Sequence, residues 1–164
     1  MPSFELDVVS SSSLWGDAAL WQNLFEKAAT ETFKKTELDN QALQVSLLLA
    51  DDAEIALYNE QWRGKAMPTN VLSFPSAPQA RAAGFLGDIV MSYETLQREA
   101  QEQQKSLQNH ALHLFVHGLL HLLGHDHDIS AEAEAMEAQE RKILLELGVP
   151  DPYEERAEES IKRS

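Results

Sequence analysis

Three histidines that lie close together in the sequence could bind a metal ion. His117, His121 and His127 lie in the segment HGLLHLLGHDH with the spacing His-x3-His-x5-His. Side chains four positions apart on a helix share one face, so the imidazoles of His117 and His121 can point at one ion. Gly124 can adopt the left-handed conformation that ends a helix, and the chain can then return His127 as a third ligand. Three nitrogen ligands and one open coordination position are typical of catalytic zinc, so we predict one zinc ion per chain.

Two more histidines and an aspartate lie near this set. His110 and His113 fit the same helix but have no defined ligand geometry, so we expect them to form hydrogen bonds or to line a pocket. Asp126 lies between the ligands, where its carboxylate either orients an imidazole or is solvated in a loop. The chain has no cysteine, so the ligands must be imidazoles or oxygens. Nickel, copper or iron would also accept three imidazoles, and zinc is the leading candidate.

The residue after the first histidine limits the chemistry of the site. In zinc proteases with the spacing HExxHxxGxxH, this residue is the glutamate that acts as general base. Gly118 occupies the position here, and glycine can neither accept nor donate a proton. Peptidase activity is therefore a weaker hypothesis than other metal-assisted hydrolysis, although it stays open.

The composition is that of one acidic domain. The chain has 164 residues and a formal net charge of −14, and this length suits a single domain with a substantial core. Excess negative charge disfavours non-specific binding to nucleic acid. The charge is unevenly distributed, however, because residues 61–110 have a formal net charge of +1 and the remainder has one of −15. A neutral or positive face beside the histidines could still accept a phosphate chain.

No segment of the sequence predicts contact with a membrane. The N-terminal stretch MPSFELDVVSSSS has no basic region before an apolar run. No run approaches the ~18 apolar residues that would span a bilayer. We therefore expect a soluble, cytoplasmic protein with no membrane partner.

Apolar periodicity and turn residues predict about four strands and five or six helices. The predicted strands are residues 4–9, 44–50, 71–74 and 85–91. The third strand should lie at or near an edge because Pro75 follows it. The predicted helices are residues 14–35, 51–61, 93–104, 106–123 and 132–147, with a loop at 76–84. The helix that carries His117 and His121 is apolar on several sides, which predicts a central, buried position.

These elements indicate an α+β fold with a mixed sheet of about four strands. The zinc site would lie on the central helix and the loop that follows it. No repeat or linker divides the chain, so residues 1–150 are predicted to form one metal-dependent hydrolase domain. The tail at residues 151–164 is charged and nearly without apolar anchors, which predicts a short exposed helix or disorder and no catalytic role.

Four segments of the chain carry a likeness to a known family. They are NEQWRGK at residues 59–65, TNVLSFP at 69–75, LGDIVM at 86–91 and HGLLHLLGHDH at 117–127. In these segments the chain resembles the YbeY family of metal-dependent endoribonucleases, over about residues 43–147. The resemblance implies an α+β domain with one metal held by His117, His121 and His127. It also implies that Arg63 is the functional basic residue of the cleft.

The chain departs from the family pattern at two positions. Asn70 stands where the family usually has aspartate, which puts any role of that carboxylate in doubt. His125 stands where the family commonly has an aromatic residue such as tyrosine. Neither change affects a predicted metal ligand.

The resemblance also implies a function. Members of the family are single-strand-specific endoribonucleases linked to 3′-end maturation of small-subunit ribosomal RNA and to ribosome quality control. The implied partners are single-stranded or ribosomal RNA, ribosomal proteins and a ribosome-associated GTPase. Two other hypotheses stay open: a zinc peptidase or other metallohydrolase, and a ribosome-assembly factor in which the metal is structural.

Overall fold

The computed structural model describes residues 4–34, 42–124 and 130–153. Its strands are β1 (Phe4–Ser10), β2 (Leu43–Ala50), β3 (Val71–Pro75) and β4 (Phe85–Ser92). They form one sheet in the order β1-β2-β4-β3. Strands β1, β2 and β4 run parallel, whereas β3 is antiparallel to β4. The predicted α+β class and mixed four-stranded sheet are confirmed, and β3 lies at an edge as Pro75 indicated.

Six α-helices within the described ranges connect and cover these strands. They are α1 (Ala18–Lys34), α2 (Asp52–Arg63), α3 (Pro78–Ala82), α4 (Tyr93–Glu102), α5 (Leu107–Leu122) and α6 (Ser130–Glu146). A 3-10 turn at Ser13–Trp15 precedes α1, where the sequence predicted the start of one continuous helix. None of the helices in the described ranges is long and apolar enough to cross a membrane.

The short helix α3 corrects the prediction of a loop at residues 76–84. Its five residues begin with Pro78, which occupies the first turn. Proline favours this position because its φ angle is already helical and its missing N–H would have no partner there. The helix is too short to produce an apolar period in the sequence.

The two faces of the sheet are covered by different helices, because successive side chains of a strand point to opposite sides. On one face, Val45, Leu47 and Ile89 belong to the main core with residues of α1, α5 and α6. On the other face, Val90 and Leu72 pack in a smaller cluster with Ile55 of α2. Helices α2 and α5 therefore lie on opposite faces of the sheet.

Helix α5 is buried along most of its length. Ten of its 16 residues are buried, which confirms the prediction of a central helix. Its first turn is capped by Ser106, whose Oγ accepts a hydrogen bond from the backbone N–H of Asn109 at 3.0 Å. The rings of Phe115 on α5 and Phe25 on α1 have centroids 5.0 Å apart. This packing gives the histidines of α5 a rigid support.

Candidate metal centre

Helix α5 places His117 and His121 side by side. The centroids of their rings are 5.0 Å apart and the ring planes are inclined by 75°. Both side chains are partly exposed, and that of His117 retains 27% of its accessible surface. Two of the three predicted ligands therefore lie together at the surface, as the spacing of four residues indicated.

The third predicted ligand, His127, lies outside the described residues, as do His125 and Asp126. The described chain reaches Gly124, which follows α5 with φ +102°. A Cβ atom at Gly124 would meet nothing within 4 Å, so glycine is needed there for its backbone conformation and not for space. Within the described residues no group of three metal-ligating side chains occurs. The three-histidine set therefore stays a prediction.

A buried carboxylate on α6 contacts the Nδ1 atom of His117. Glu140 has no accessible side-chain surface, and its Oε1 lies 2.5 Å from Nδ1 of His117. Its Oε2 lies 3.3 Å from Nε2 of His113 and also accepts a hydrogen bond from the hydroxyl of Tyr153. Burial raises the pKa of Glu140, but the hydrogen bonds from His113, His117 and Tyr153 outweigh it and lower the pKa to about 2. Glu140 is therefore an ionised acceptor.

His110 and His113 are held by hydrogen bonds, which confirms their predicted role. Nε2 of His110 lies 2.9 Å from Oε1 of Glu99. His113 contacts Glu140, and its pKa is lowered because burial disfavours the charged imidazole more than the carboxylate favours it. The imidazole of His113 is therefore mainly neutral at pH 7 and supports Glu140.

Asn70 has a local structural role that the sequence did not reveal. Its Nδ2 donates to Glu99 on α4, with a distance of 3.1 Å to Oε1. Glu99 also accepts from His110, so it joins the start of β3 to α5. An aspartate at position 70 would place a second carboxylate beside Glu99 and repel it. Asparagine instead completes the hydrogen bonding of Glu99.

Gly118 lies against the sheet, and its position is closed to a larger residue. A Cβ atom there would lie 2.9 Å from Oγ of Ser73 and 3.4 Å from Cδ1 of Ile89. A glutamate after His117 would therefore require the side chain of Ser73 to shift. This packing gives a physical reason why the general base of zinc proteases is missing from the segment.

Arg63 lies on α2, which covers the opposite face of the sheet from α5. It is the exposed last residue of α2, and Gly64 follows it in the left-handed conformation with φ +69°. Because α2 and α5 cover opposite faces of the sheet, the helices that carry Arg63 and the histidines lie on different sides of it. The segment after Gly64 leads directly to β3, whose Ser73 Oγ lies 3.5 Å from the carbonyl oxygen of Gly118.

Glu140 and Tyr153 are functional candidates that the sequence pattern did not predict. Glu140 occupies the apolar face of α6, between the buried residues Met136 and Ile143. A charged residue at a core position of an amphipathic helix is a signal that could have revealed it. Tyr153 belongs to the tail that was expected to have no catalytic role.

The chemistry of these side chains fits a bound metal ion. An imidazole whose Nδ1–H donates to a carboxylate carries its lone pair on Nε2, and metal-bound histidines commonly have such a carboxylate partner. The fold and the site define an α+β domain with a histidine-based candidate metal centre. The chain belongs to the YbeY family: the family model described as Endoribonuclease YbeY matches residues 10–148. The resemblance seen in the sequence is thus confirmed.

Relatives and a solved structure agree with this assignment. The protein named Endoribonuclease YbeY from Novosphingobium aromaticivorans is 45% identical over 163 residues, covering 93% of this chain and 96% of its own. The one of the same name from Bartonella henselae is 43% identical over 153 residues, covering 92% and 97%. The solution structure of TM1509 from Thermotoga maritima has a TM-score of 0.59 at 23% identity, covering 90% and 95%, and supports the fold.

Proposed function

We propose that this protein is a zinc-dependent, single-strand-specific endoribonuclease that acts in 3′-end maturation of small-subunit ribosomal RNA and in ribosome quality control. The observation that carries the proposal is the pair His117 and His121, side by side on a rigid helix in a chain of this family. His127 completes the proposed ligand set for one zinc ion. The name Endoribonuclease YbeY of the curated relatives supports RNA as the substrate.

In the proposed mechanism, the metal ion and the protein side chains have different roles. His117, His121 and His127 would hold the zinc ion, which would supply Lewis-acid catalysis near neutral pH. The guanidinium of Arg63 pairs with a phosphate through two parallel hydrogen bonds. Because the helices that carry Arg63 and the histidines cover opposite faces of the sheet, the RNA strand would cross the edge of the sheet at β3. Arg63 would then bind a phosphate at or next to the scissile one.

The nucleophile has two candidates. Gly118 provides no base, so without help from that position either a water molecule or the ribose 2′-hydroxyl attacks the phosphorus, and the bond from phosphorus to the leaving ribose oxygen breaks. Analysis of the product ends distinguishes the two routes. A terminal 2′,3′-cyclic phosphate would identify attack by the 2′-hydroxyl.

The charge of the chain suits a selective interaction with RNA. Residues 61–110 include Arg63 and Lys65 and carry +1, whereas the remainder carries −15. The acidic remainder limits indiscriminate binding to RNA and favours basic partners such as ribosomal proteins. A ribosome-associated GTPase is a further proposed partner.

The competing hypotheses differ in what the site can do. A zinc peptidase is disfavoured because Gly118 occupies the position of its general base, where a side chain would meet Ser73 and Ile89. An assembly factor with a structural metal would bind zinc without cleaving RNA. In that case His117→Ala would unfold the domain and not merely abolish activity.

The test uses untagged protein, elemental analysis of bound metal and cleavage of single-stranded RNA. We expect about one zinc per chain in the wild type, loss of zinc and cleavage in His117→Ala, and loss of cleavage with retained zinc in Arg63→Ala. Arg98→Ala is the matched control, because Arg98 is also an exposed arginine on a helix. Full activity of Arg63→Ala would contradict its assignment. Stoichiometric zinc without cleavage in the wild type would favour the assembly factor.

A further inference from the structure

Glu140 is a buried charge on an otherwise apolar helix face. Met136, Ile143 and Leu144 share that face and are buried with it. Removing an ionised carboxylate from water costs free energy that an apolar side chain of similar size would avoid. Packing alone therefore does not explain a glutamate at this position, and its hydrogen-bond partners suggest another role.

The two oxygens of Glu140 contact different partners. Oε1 lies 2.5 Å from Nδ1 of His117, and Oε2 is shared by His113 and the hydroxyl of Tyr153. The short distance between Oε1 and Nδ1 is that of a hydrogen bond, which we assign as donated by Nδ1–H of His117 to the carboxylate. The lone pair of His117 is then on Nε2, and the ring is held in one orientation.

Tyr153 is itself held by Asp151, which follows α6, and by Arg141 on α6. Its backbone N–H donates to Oδ1 of Asp151 at 2.8 Å, and the guanidinium of Arg141 lies 5.1 Å from the centre of its ring. Nε of Arg141 also lies 3.3 Å from Asp151. These contacts place the hydroxyl of Tyr153 on Glu140 and limit the movement of the carboxylate.

We propose that Glu140, held by Tyr153, is a positioning residue that presents Nε2 of His117 to the metal ion. The inference rests on the proposed function, in which His117 is a metal ligand. A carboxylate on the second nitrogen fixes the tautomer of a ligating histidine and raises its basicity. Tyr153 acts on His117 indirectly, because its hydroxyl donates to Glu140 and holds that carboxylate in place.

The first test is the zinc affinity of the full-length, untagged protein, measured by competition with a chromophoric chelator. Glu140→Gln keeps the shape of the side chain and removes its charge, and we expect zinc to bind about 10–100-fold more weakly. Tyr153→Phe should give a smaller loss in the same direction. Glu99→Gln is the matched control, because Glu99 contacts His110 in a similar way at 2.9 Å. Its zinc affinity should equal that of the wild type.

The second test reads the tautomer of His117 directly. Long-range nitrogen–hydrogen correlation spectra of the metal-free wild type should show the proton of His117 on Nδ1. Glu140→Gln should increase the population with the proton on Nε2, whereas Glu99→Gln should not. A purely structural role of Glu140 would leave this signature unchanged. If Glu140→Gln does not fold, Tyr153→Phe still tests the inference, because both its zinc affinity and its tautomer should shift.

The outcomes separate this inference from the proposed function. If zinc binding is lost in His117→Ala but unchanged in Glu140→Gln and Tyr153→Phe, the inference is wrong and the proposed ligand remains. If the wild type does not bind zinc, or His117→Ala binds it equally well, the proposed metal site is wrong, and the role of Glu140 is overturned with it.

Discussion

At the scale of single residues, Gly118 lets α5 pack closely against the sheet. A Cβ atom there would lie 2.9 Å from Oγ of Ser73, so a longer side chain must displace the side chains it meets. We expect Gly118→Glu to lower the free energy of unfolding by about 3 kcal/mol, through overpacking and burial of the carboxylate. Urea denaturation measures this change.

A smaller substitution at the same position serves as the comparison. Gly118→Ala should be less destabilising than Gly118→Glu, because alanine gains about 1 kcal/mol in helix propensity that offsets part of the clash. Combining it with Ser73→Ala removes the contacting oxygen and should restore some stability. A Gly118→Glu variant as stable as the wild type would show that the position is open.

Glu99 provides a prediction about pH. Burial raises the pKa of Glu99, but the hydrogen bonds from His110 and Asn70 outweigh burial and leave it below the ordinary value of 4.5. A lowered pKa in the folded state contributes stability that is present above 4.5 and is lost as the pH falls through the lower folded value. Glu99→Gln should therefore lose less stability than the wild type on acidification below 4.5.

The measurement is a series of urea denaturations of metal-free protein at decreasing pH. Glu31→Gln is a suitable control, because Glu31 forms a solvent-accessible pair with Lys34 at 3.2 Å on α1. Equal acid sensitivity of Glu99→Gln and the wild type would contradict the role assigned to Glu99.

At the scale of elements, the N-cap of α5 supports the helix that carries the histidines. Oγ of Ser106 accepts from the N–H of Asn109 at 3.0 Å. Ser106→Ala should cost about 1 kcal/mol of folding stability, whereas Ser106→Asp should keep most of it. Thermal and urea unfolding measure the loss. Zinc affinity should not change in either variant, because the cap is at the opposite end of α5 from His121.

Most elements could be predicted because their ends carry local signals. Asp51 caps α2 by accepting from the N–H of Glu54 at 2.9 Å, and Gly64 ends it in the left-handed conformation. The capping aspartate and the terminal glycine are both recognisable from residue type and position in the sequence. Helix α3 was missed because five residues cannot show an apolar period.

The site could be predicted only where it is local in sequence. The pairing of His117 with His121 follows from helix geometry alone, and the structure confirms it. The contact of His117 with Glu140 joins residues 23 positions apart and depends on how α6 packs against α5. Periodicity does not specify that packing. Likewise, the partner of Asn70 could not be predicted, because Glu99 is 29 positions away.

At the scale of the whole molecule, metal binding should couple to stability. A ligand that binds only the folded state stabilises it by about 2.7 kcal/mol at a free concentration 100 times its Kd. For a domain of this size, that is a rise in Tm of roughly 5–11 °C. Calorimetry with and without zinc measures the rise. His117→Ala should show none, and an equal rise in that variant would locate zinc elsewhere.

The position of β1 at an edge of the sheet has a consequence for hydrogen exchange. Among the strands that the structure describes, β1 pairs only with β2, whereas β2 and β4 each have a neighbour on both sides. Edge strands can open locally without global unfolding, so the amides of β1 should exchange faster than those of β2 and β4. The histidines stand on α5, which rests against β3 and β4 at the far edge. Transient detachment of β1 should therefore leave the candidate metal centre assembled.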